Sequence, residues 1–172
     1  MNHLFFPLIA VTGSLIHIYF DKKQRSPRRT LEIILLWFLP VFLGISGVMA
    51  FLGHTFAAGK IAAYIGWPPG NPFQLEVALA NLAFGVLGIS CIWLRGNFWT
   101  ATVMASSIFA FGAAFVHIRE IIVNHNYAPG NAGAVLYLDI GGPVLLIVLL
   151  TIFKILEKSE LRNKALQCNE AK

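Results

Sequence analysis

Five long apolar segments dominate the sequence. They cover approximately residues 4–20, 31–52, 73–94, 98–123 and 134–153. A helix needs about 20 mostly apolar residues to cross the hydrocarbon core of a bilayer. Unbroken apolar runs favour helices over the strands of a membrane barrel, in which apolar and polar side chains alternate. The sequence therefore predicts an all-α membrane protein, a polytopic bundle of five transmembrane helices that forms a single domain over residues 1–172.

The scarcity of charge excludes the main soluble classes. Charged residues make up 12% of the chain and hydrophobic residues 57%, with a mean hydropathy of +0.70. An ordinary soluble domain carries about 25% charged residues. A soluble chain of this length cannot bury so much apolar surface, because a large share of its residues stay in contact with water. A soluble enzyme, a disordered chain and a disulfide scaffold are therefore excluded.

The basic residues predict an orientation in the plasma (inner) membrane. Eleven of the thirteen Lys and Arg residues lie in the loop 21–30, at Arg95 and in the tail 154–172, which the five spans place on one side. The positive-inside rule puts that side in the cytoplasm and the amino terminus outside. The basic residues lie where anionic lipid would meet them, and no basic and aromatic groove for nucleic acid is visible. The expected partner is thus the lipid bilayer.

The outer connection between the second and third spans contains a further apolar segment. Residues 55–66 are too few for a sixth span, so we expect a short interfacial or re-entrant helix that ends near the headgroups at Trp67. Pro69-Gly70 and Pro129-Gly130 follow one pattern, and each predicts a type II turn in which Gly supplies the positive φ.

Three of the eight acidic residues fall inside predicted spans. Glu76, Glu120 and Asp139 each lie a few residues from the outer end of a span, and His117 lies one turn deeper than Glu120. A carboxylate within a span costs roughly 2.5–3.5 kcal/mol on insertion scales. At about 1.5 Å per residue, the three acids share a layer some 5–10 Å below the outer boundary. We predict that these four side chains line a polar pocket that opens to the outer face.

Helical spacing supports part of this pocket. Small and polar residues recur at spacings of three and four on the fourth span, which predicts a face packed against other helices. Asn81 lies on a comparable stripe of the third span with Gly85 and Gly88, whereas Glu76 points to a different face of that helix. The predicted supporting polar residues are Asn81, His54, His125 and Asn131.

Three interpretations of the polar layer remain open. As a metal site, His117, Glu76, Glu120 and Asp139 would supply one nitrogen and three oxygen ligands, a set that suits zinc, manganese or iron. As a proton-binding gate or solute pocket, the same groups would titrate or bind a substrate. As an internal network, they would only satisfy one another. No nucleophile, phosphate-loop or dinucleotide motif indicates an enzyme, so no catalytic residue is assigned.

Two stretches carry a resemblance to a known family. They are the run IGWPPGNPFQLE from Ile65 to Glu76 and HIRE from His117 to Glu120, the second followed by Pro129-Gly130-Asn131. Together they resemble an uncharacterised family of small prokaryotic inner-membrane proteins, a domain of unknown function loosely similar to the DoxX-like four-helix membrane proteins. The resemblance covers about residues 53–143. It implies a small helical bundle, and it implies that the polar residues act as one unit, without naming an activity. That unit is Glu76, Asn81, His117, Glu120, Asn131 and Asp139.

Three functional classes follow. The first is a membrane protein with a divalent metal in the outer pocket. The second is a small-solute or proton-coupled transporter, for which five spans in one chain favour a homodimer. The third is a non-catalytic accessory subunit of a larger membrane complex. The small-residue stripe on the third span is the sequence feature that would serve association with a second copy or a partner.

Overall fold

The computed structural model describes residues 5–23 and 26–170. Arg25 and Lys172, two of the basic residues used for the orientation, lie outside the described residues, as does the start of the predicted 4–20 span. The described part of the chain consists of helices and short connections. The helices are α1 Phe5–Phe20, α2 Pro27–Phe56, α3 Ala58–Ile65, α4 Phe73–Ser90, α5 Asn97–Asn124, α6 Pro129–Ala132 and α7 Ala134–Glu170.

The all-α prediction is confirmed, and several helices are compatible with a membrane protein. Four helical stretches within the described residues are long and apolar enough to cross a bilayer: α2, α4, α5 and the stretch from α6 through α7. Helix α1 is also apolar but has 16 residues. A count of five crossings therefore requires that α1 spans as well.

Large apolar side chains cover the outside of the bundle. On α5, Ile108, Phe115 and Ile122 are each about two thirds exposed or more. In water such a surface would be a strong liability for aggregation. Contact with lipid tails removes that cost, so the outer face agrees with the apolar character of the spans.

Several helices begin or end at residues other than those of the predicted spans. Helix α2 begins earlier than residue 31, because Ser26 caps it by accepting a hydrogen bond from the Arg29 amide and Pro27 occupies the first helical position. Helix α4 ends at Ser90, and residues 91–93 form a turn. Helix α7 continues without a break to Glu170, well beyond the predicted end of the fifth span at residue 153.

The middle of α2 is a π-helix. Residues Phe38–Ile45 form this segment, and the amide of Ser46 donates to the carbonyl of Val41, five residues earlier. The half of α2 before this segment contacts α1 and α7, and the half after it contacts α4. Leu35 and Leu39 are fully buried and contribute, with Trp99 and Val103 of α5, to the hydrophobic core.

Glycines bring α2 and α4 into backbone contact. A Cβ atom on Gly88 would lie 2.7 Å from the amide nitrogen of Gly44, and one on Gly47 would lie 2.7 Å from the carbonyl oxygen of Asn81. Backbone contact of this kind requires small residues on both helices. The predicted small-residue stripe of α4 therefore packs against α2 within the chain, so it does not provide a free face for association.

The two proline–glycine segments fold differently. Gly70 has a φ of +83°, the positive value that a type II turn requires after Pro69. The prediction for Pro129-Gly130 is wrong, because these residues belong to the one-turn helix α6 and Gly130 has no positive φ. Gly130 packs on α3: a Cβ atom there would lie 2.7 Å from the carbonyl oxygen of Tyr64. This tertiary contact explains why the two segments differ.

Candidate functional site

A buried polar cluster lies where α5 ends and α6 and α7 begin. His117 on α5 is 7% exposed, and Asn131 on α6 is completely buried. The Nδ1 atom of His117 lies 2.7 Å from Oδ1 of Asn131. We call this end of the bundle, with α3 and the start of α4, the polar end.

The hydrogen bonds of Asn131 settle where His117 carries a proton. The Asn131 Nδ2 group donates to the carbonyl oxygens of His117, at 3.2 Å, and Asn126, at 2.9 Å. Two carbonyl acceptors fix the orientation of the amide, since only its nitrogen can donate. Oδ1 therefore accepts, and Nδ1 of His117 is the protonated nitrogen that donates to it.

Asp139 faces the other nitrogen of the same ring. Its Oδ2 atom lies 3.7 Å from His117 Nε2. With the hydrogen of a neutral imidazole already on Nδ1, Nε2 and the carboxylate are both acceptors. Their approach is favourable only when one of them holds an additional proton. We refer to these two side chains as the His117–Asp139 pair.

Trp67 lies against the histidine of this pair. Its indole stacks on the His117 ring with a centroid distance of 6.1 Å and an interplanar angle of 23°. The preceding Gly66 ends α3 in a left-handed conformation with a φ of +80°. Asn126 holds this end of α3 by donating from Nδ2 to the carbonyl of Ile65 at 3.0 Å. The αL turn and the Asn126 contact together set the position of Trp67.

A cavity of about 330 Å³ adjoins this cluster and shares Trp67 with it. The Nε2 atom of Gln74 donates to the carbonyl of Ala58 at 2.9 Å and lies 3.4 Å from His54 Nδ1, so two polar groups of the wall are held in place. The lining residues are His54, Ala62, Ile65, Trp67, Pro68, Asn71, Phe73, Gln74, Val77, Glu120 and Asn124.

Glu120 gives the cavity wall a negative charge. Both of its carboxylate oxygens accept hydrogen bonds of 2.9 Å from the Asn124 amide. Arg119 lies 3.7 Å away, but its side chain is 58% exposed whereas that of Glu120 is 17% exposed. An exposed pair of this kind is weak, because solvent screens it. Arg119 therefore offsets little of the negative charge that Glu120 brings to the cavity wall.

The structure brings together part of the predicted set. His117, Asp139 and Asn131 form one cluster, while Glu120 and His54 line the adjacent cavity. Trp67 belongs to both, although the sequence indicated only a headgroup anchor there. Its contact with His117 depends on the turn at Gly66, which no local pattern reveals.

Three predicted residues lie apart from this arrangement. Glu76 is exposed, and the cavity wall on α4 is formed by its neighbours Gln74 and Val77. Asn81 donates to the carbonyl of Val77 in its own helix at 2.9 Å. His125 is exposed and ends α5 with a φ of 51°.

The predicted metal site finds no support in this geometry. Within residues 5–23 and 26–170, no three His, Cys, Asp or Glu side chains lie close enough together to hold a metal ion. The predicted set of His117, Glu76, Glu120 and Asp139 is divided between a partly buried pair, a cavity wall and an exposed helix face. A metal needs several ligands that converge on one point.

The fold and the polar end define a class: a helical protein with several candidate membrane spans and a buried polar cluster at one end. The chain belongs to the family of unknown function DUF6790, whose family model matches residues 1–159. This confirms the predicted membership of a family of unknown function, and it lends no support to the DoxX-like likeness. Neither the curated proteins nor the solved structures contain a match to this chain.

Proposed function

We propose that this protein is a membrane carrier that binds a small, positively charged solute at its polar end and couples its movement to a proton. The observation that carries the proposal is the shared position of Trp67. Its ring lines the cavity and also stacks on His117, which faces Asp139 at 3.7 Å. A proton on the His117–Asp139 pair and a solute in the cavity would therefore act on the same side chain.

The chemistry of the cavity favours an organic cation. Glu120 supplies the negative charge, and the rings of Trp67 and Phe73 supply the aromatic surface that attracts cations. A volume of about 330 Å³ holds about ten waters at roughly 30 Å³ each. A quaternary or primary ammonium compound with a comparable number of non-hydrogen atoms fits this description.

The coupling follows from the proton count of the pair. With an additional proton, Nε2 of His117 and Oδ2 of Asp139 attract each other and hold the imidazole beneath Trp67. Without it, two acceptors face each other and repel. Loss of the proton would then loosen the indole, and with it the cavity wall that contacts the solute. Glu120 lies one turn from His117 on α5 and lines the cavity. Its carboxylate would therefore also respond to loss of the proton from the His117–Asp139 pair.

Uptake into liposomes tests this proposal. Choline is a suitable probe, because its fixed charge prevents the passive leak of a neutral base along a pH gradient. We expect a pH gradient to drive choline uptake by the wild type, Asp139→Asn to abolish the dependence on the gradient, and Glu120→Gln to abolish uptake. Glu76→Gln is the matched control, since it removes an exposed carboxylate away from the cavity. Equal losses in Glu76→Gln and Glu120→Gln would contradict the proposal.

We also propose five crossings, with the tail of α7 in the cytoplasm and the polar end outside. Arg28, Arg29 and Arg95 share the opposite end of the bundle with Glu32 and Glu160, which agrees with the positive-inside rule. Cys168 is a native probe, because it is exposed whereas Cys91 is buried. A membrane-impermeant maleimide should label the chain only after cells are permeabilised, and Cys168→Ser should remove the label. Labelling of intact cells would reverse the orientation.

A further inference from the structure

We infer that the end of the bundle opposite the polar end holds a binding site for a phosphate group. A second cavity, of about 630 Å³, lies there between the loop after α1, the start of α2 and the tail half of α7. We call it the basic cavity. Its lining residues are Lys23, Ser26, Arg28, Arg29, Glu32, Glu160, Asn163, Lys164 and Gln167.

Some of the basic side chains are already paired. Arg28 Nε donates to Glu160 Oε2 at 2.8 Å, which joins the start of α2 to α7. Arg29 binds Asp21 at 2.8 Å and Glu32 at 3.0 Å. These ion pairs hold the walls of the basic cavity together. Both acidic residues of its lining, Glu32 and Glu160, are already paired with an arginine.

Two lysines of the basic cavity have no acidic partner among the residues that the structure describes. Within the described ranges 5–23 and 26–170, neither Lys23 nor Lys164 forms a salt bridge. Lys23 lies in the loop before α2, whereas Lys164 lies on α7, so the two ammonium groups belong to different walls. With four basic and two acidic residues, the lining has an excess of positive charge that a bound anion would balance.

The start of α2 adds to this excess. The amino-terminal end of a helix carries a partial positive charge and normally attracts acidic side chains. Here the first turn contains no acid and instead contains Arg28 and Arg29. Cations at this position are unfavourable by themselves, and an anion in the basic cavity would offset that cost.

Phosphate fits these donors better than a smaller anion with fewer oxygens. Its oxygens accept several charge-assisted hydrogen bonds at once, and Lys and Arg are its usual partners in proteins. The side chains of Ser26, Asn163 and Gln167 offer further hydrogen-bonding groups in the same lining. Such a phosphate is either the headgroup of an anionic lipid or part of a soluble phosphate monoester.

Thermal unfolding of the full-length protein in mild detergent tests the site and separates these sources. The probes are phosphatidylglycerol, phosphatidylcholine and glycerol 1-phosphate. We expect phosphatidylglycerol to raise Tm by about 3 °C or more, a shift typical of a ligand well above its Kd on a chain of this size. A comparable shift with glycerol 1-phosphate would identify a soluble phosphate, and no shift with it would identify a lipid headgroup.

Matched double variants distinguish a site from general surface charge. Lys23→Gln/Lys164→Gln should lose the shift, whereas Lys22→Gln/Arg162→Gln removes two charges from the same loop and helix outside the cavity and should keep it. Lys23→Arg/Lys164→Arg should also keep it, which excludes a loss through misfolding. Equal losses in the two glutamine pairs, an equal shift with phosphatidylcholine, or no shift with any phosphate probe would overturn the inference.

Discussion

Asn131 is the most informative position at the polar end. Its side chain is completely buried and forms three hydrogen bonds, one with the His117 ring and two with the backbone carbonyls of His117 and Asn126. Asn131→Ala removes all three bonds at once. The ring nitrogen and the two carbonyls then stay in the interior without their partner, where no water replaces it easily.

The expected loss of stability follows from these three bonds. Polar contacts within membrane proteins average about 0.6 kcal/mol each, and hydrogen bonds in soluble proteins contribute about 0.5–1.5 kcal/mol. Three bonds therefore give a loss of about 2 kcal/mol on the first scale and about 4.5 kcal/mol at the upper end of the second. The control is Asn124→Ala, because Asn124 is exposed and its amide binds Glu120. Its loss should stay below about 1 kcal/mol.

Chemical unfolding in mild detergent, followed by circular dichroism, measures both losses. Tryptophan fluorescence adds a local signal, because the indole of Trp67 stacks on the ring that Asn131 orients. We expect Asn131→Ala to change this emission before unfolding begins and Asn124→Ala to leave it unchanged. Equal stabilities for the two variants would refute the hydrogen-bond network and the proton position derived from it.

Three further substitutions test other parts of the structure. Gly88→Ala should destabilise the protein by about 2 kcal/mol or more, because its Cβ atom would lie 2.7 Å from backbone atoms. Gly112→Ala, which has open space around it, should be neutral or stabilising in the same unfolding assay. Similar losses for the two variants would contradict the α2–α4 contact. Gly66→Ala should lower Tm and alter Trp67 emission, because its φ is +80° and a Cβ would lie 2.6 Å from Asn126 Oδ1; a wild-type Tm would contradict this. The Arg29 guanidinium holds the pKa of Asp21 below its ordinary value through a side-chain hydrogen bond, so the pair stabilises the protein at pH values above the ordinary carboxyl pKa of about 4 and loses this effect as the pH falls through the lower pKa of the folded state. The difference in Tm between wild type and Asp21→Asn should be constant from neutral pH to about 5 and shrink in strong acid. A difference that grows in acid would refute the assignment.

The helices were predictable from sequence because each depends on a long local signal. An apolar run of about 20 residues has few alternatives to a helix in lipid, and the α4 glycines indicated a packed face by spacing alone. The spacing also separated Glu76 from the stripe of Asn81, and the exposed position of Glu76 agrees with that.

The details of the polar end depend on contacts between distant segments. The depth argument placed Glu76 in the same layer as Glu120, but depth alone does not fix direction around a helix axis. Trp67 meets His117 across 50 positions of sequence, and Gly130 takes a helical conformation beside Tyr64. Local turn chemistry carries no information about either contact.

The π-helix in α2 changes which residues share a face of this helix. In a regular α-helix each residue advances by about 100° around the axis, so a wide turn shifts the rotational phase of everything that follows it. A helical wheel that assumes a regular α-helix over all of Pro27–Phe56 therefore misplaces the residues after the π-helix relative to those before it. Leu35 is buried in the core before the wide turn, and His54 lines the cavity after it. Deleting one residue within Phe38–Ile45 would close the wide turn to a regular α-helical turn and keep both Leu35 and His54 on their present faces, whereas a deletion in a regular stretch of α2 between them and outside this segment would rotate His54 away from the cavity by about 100°.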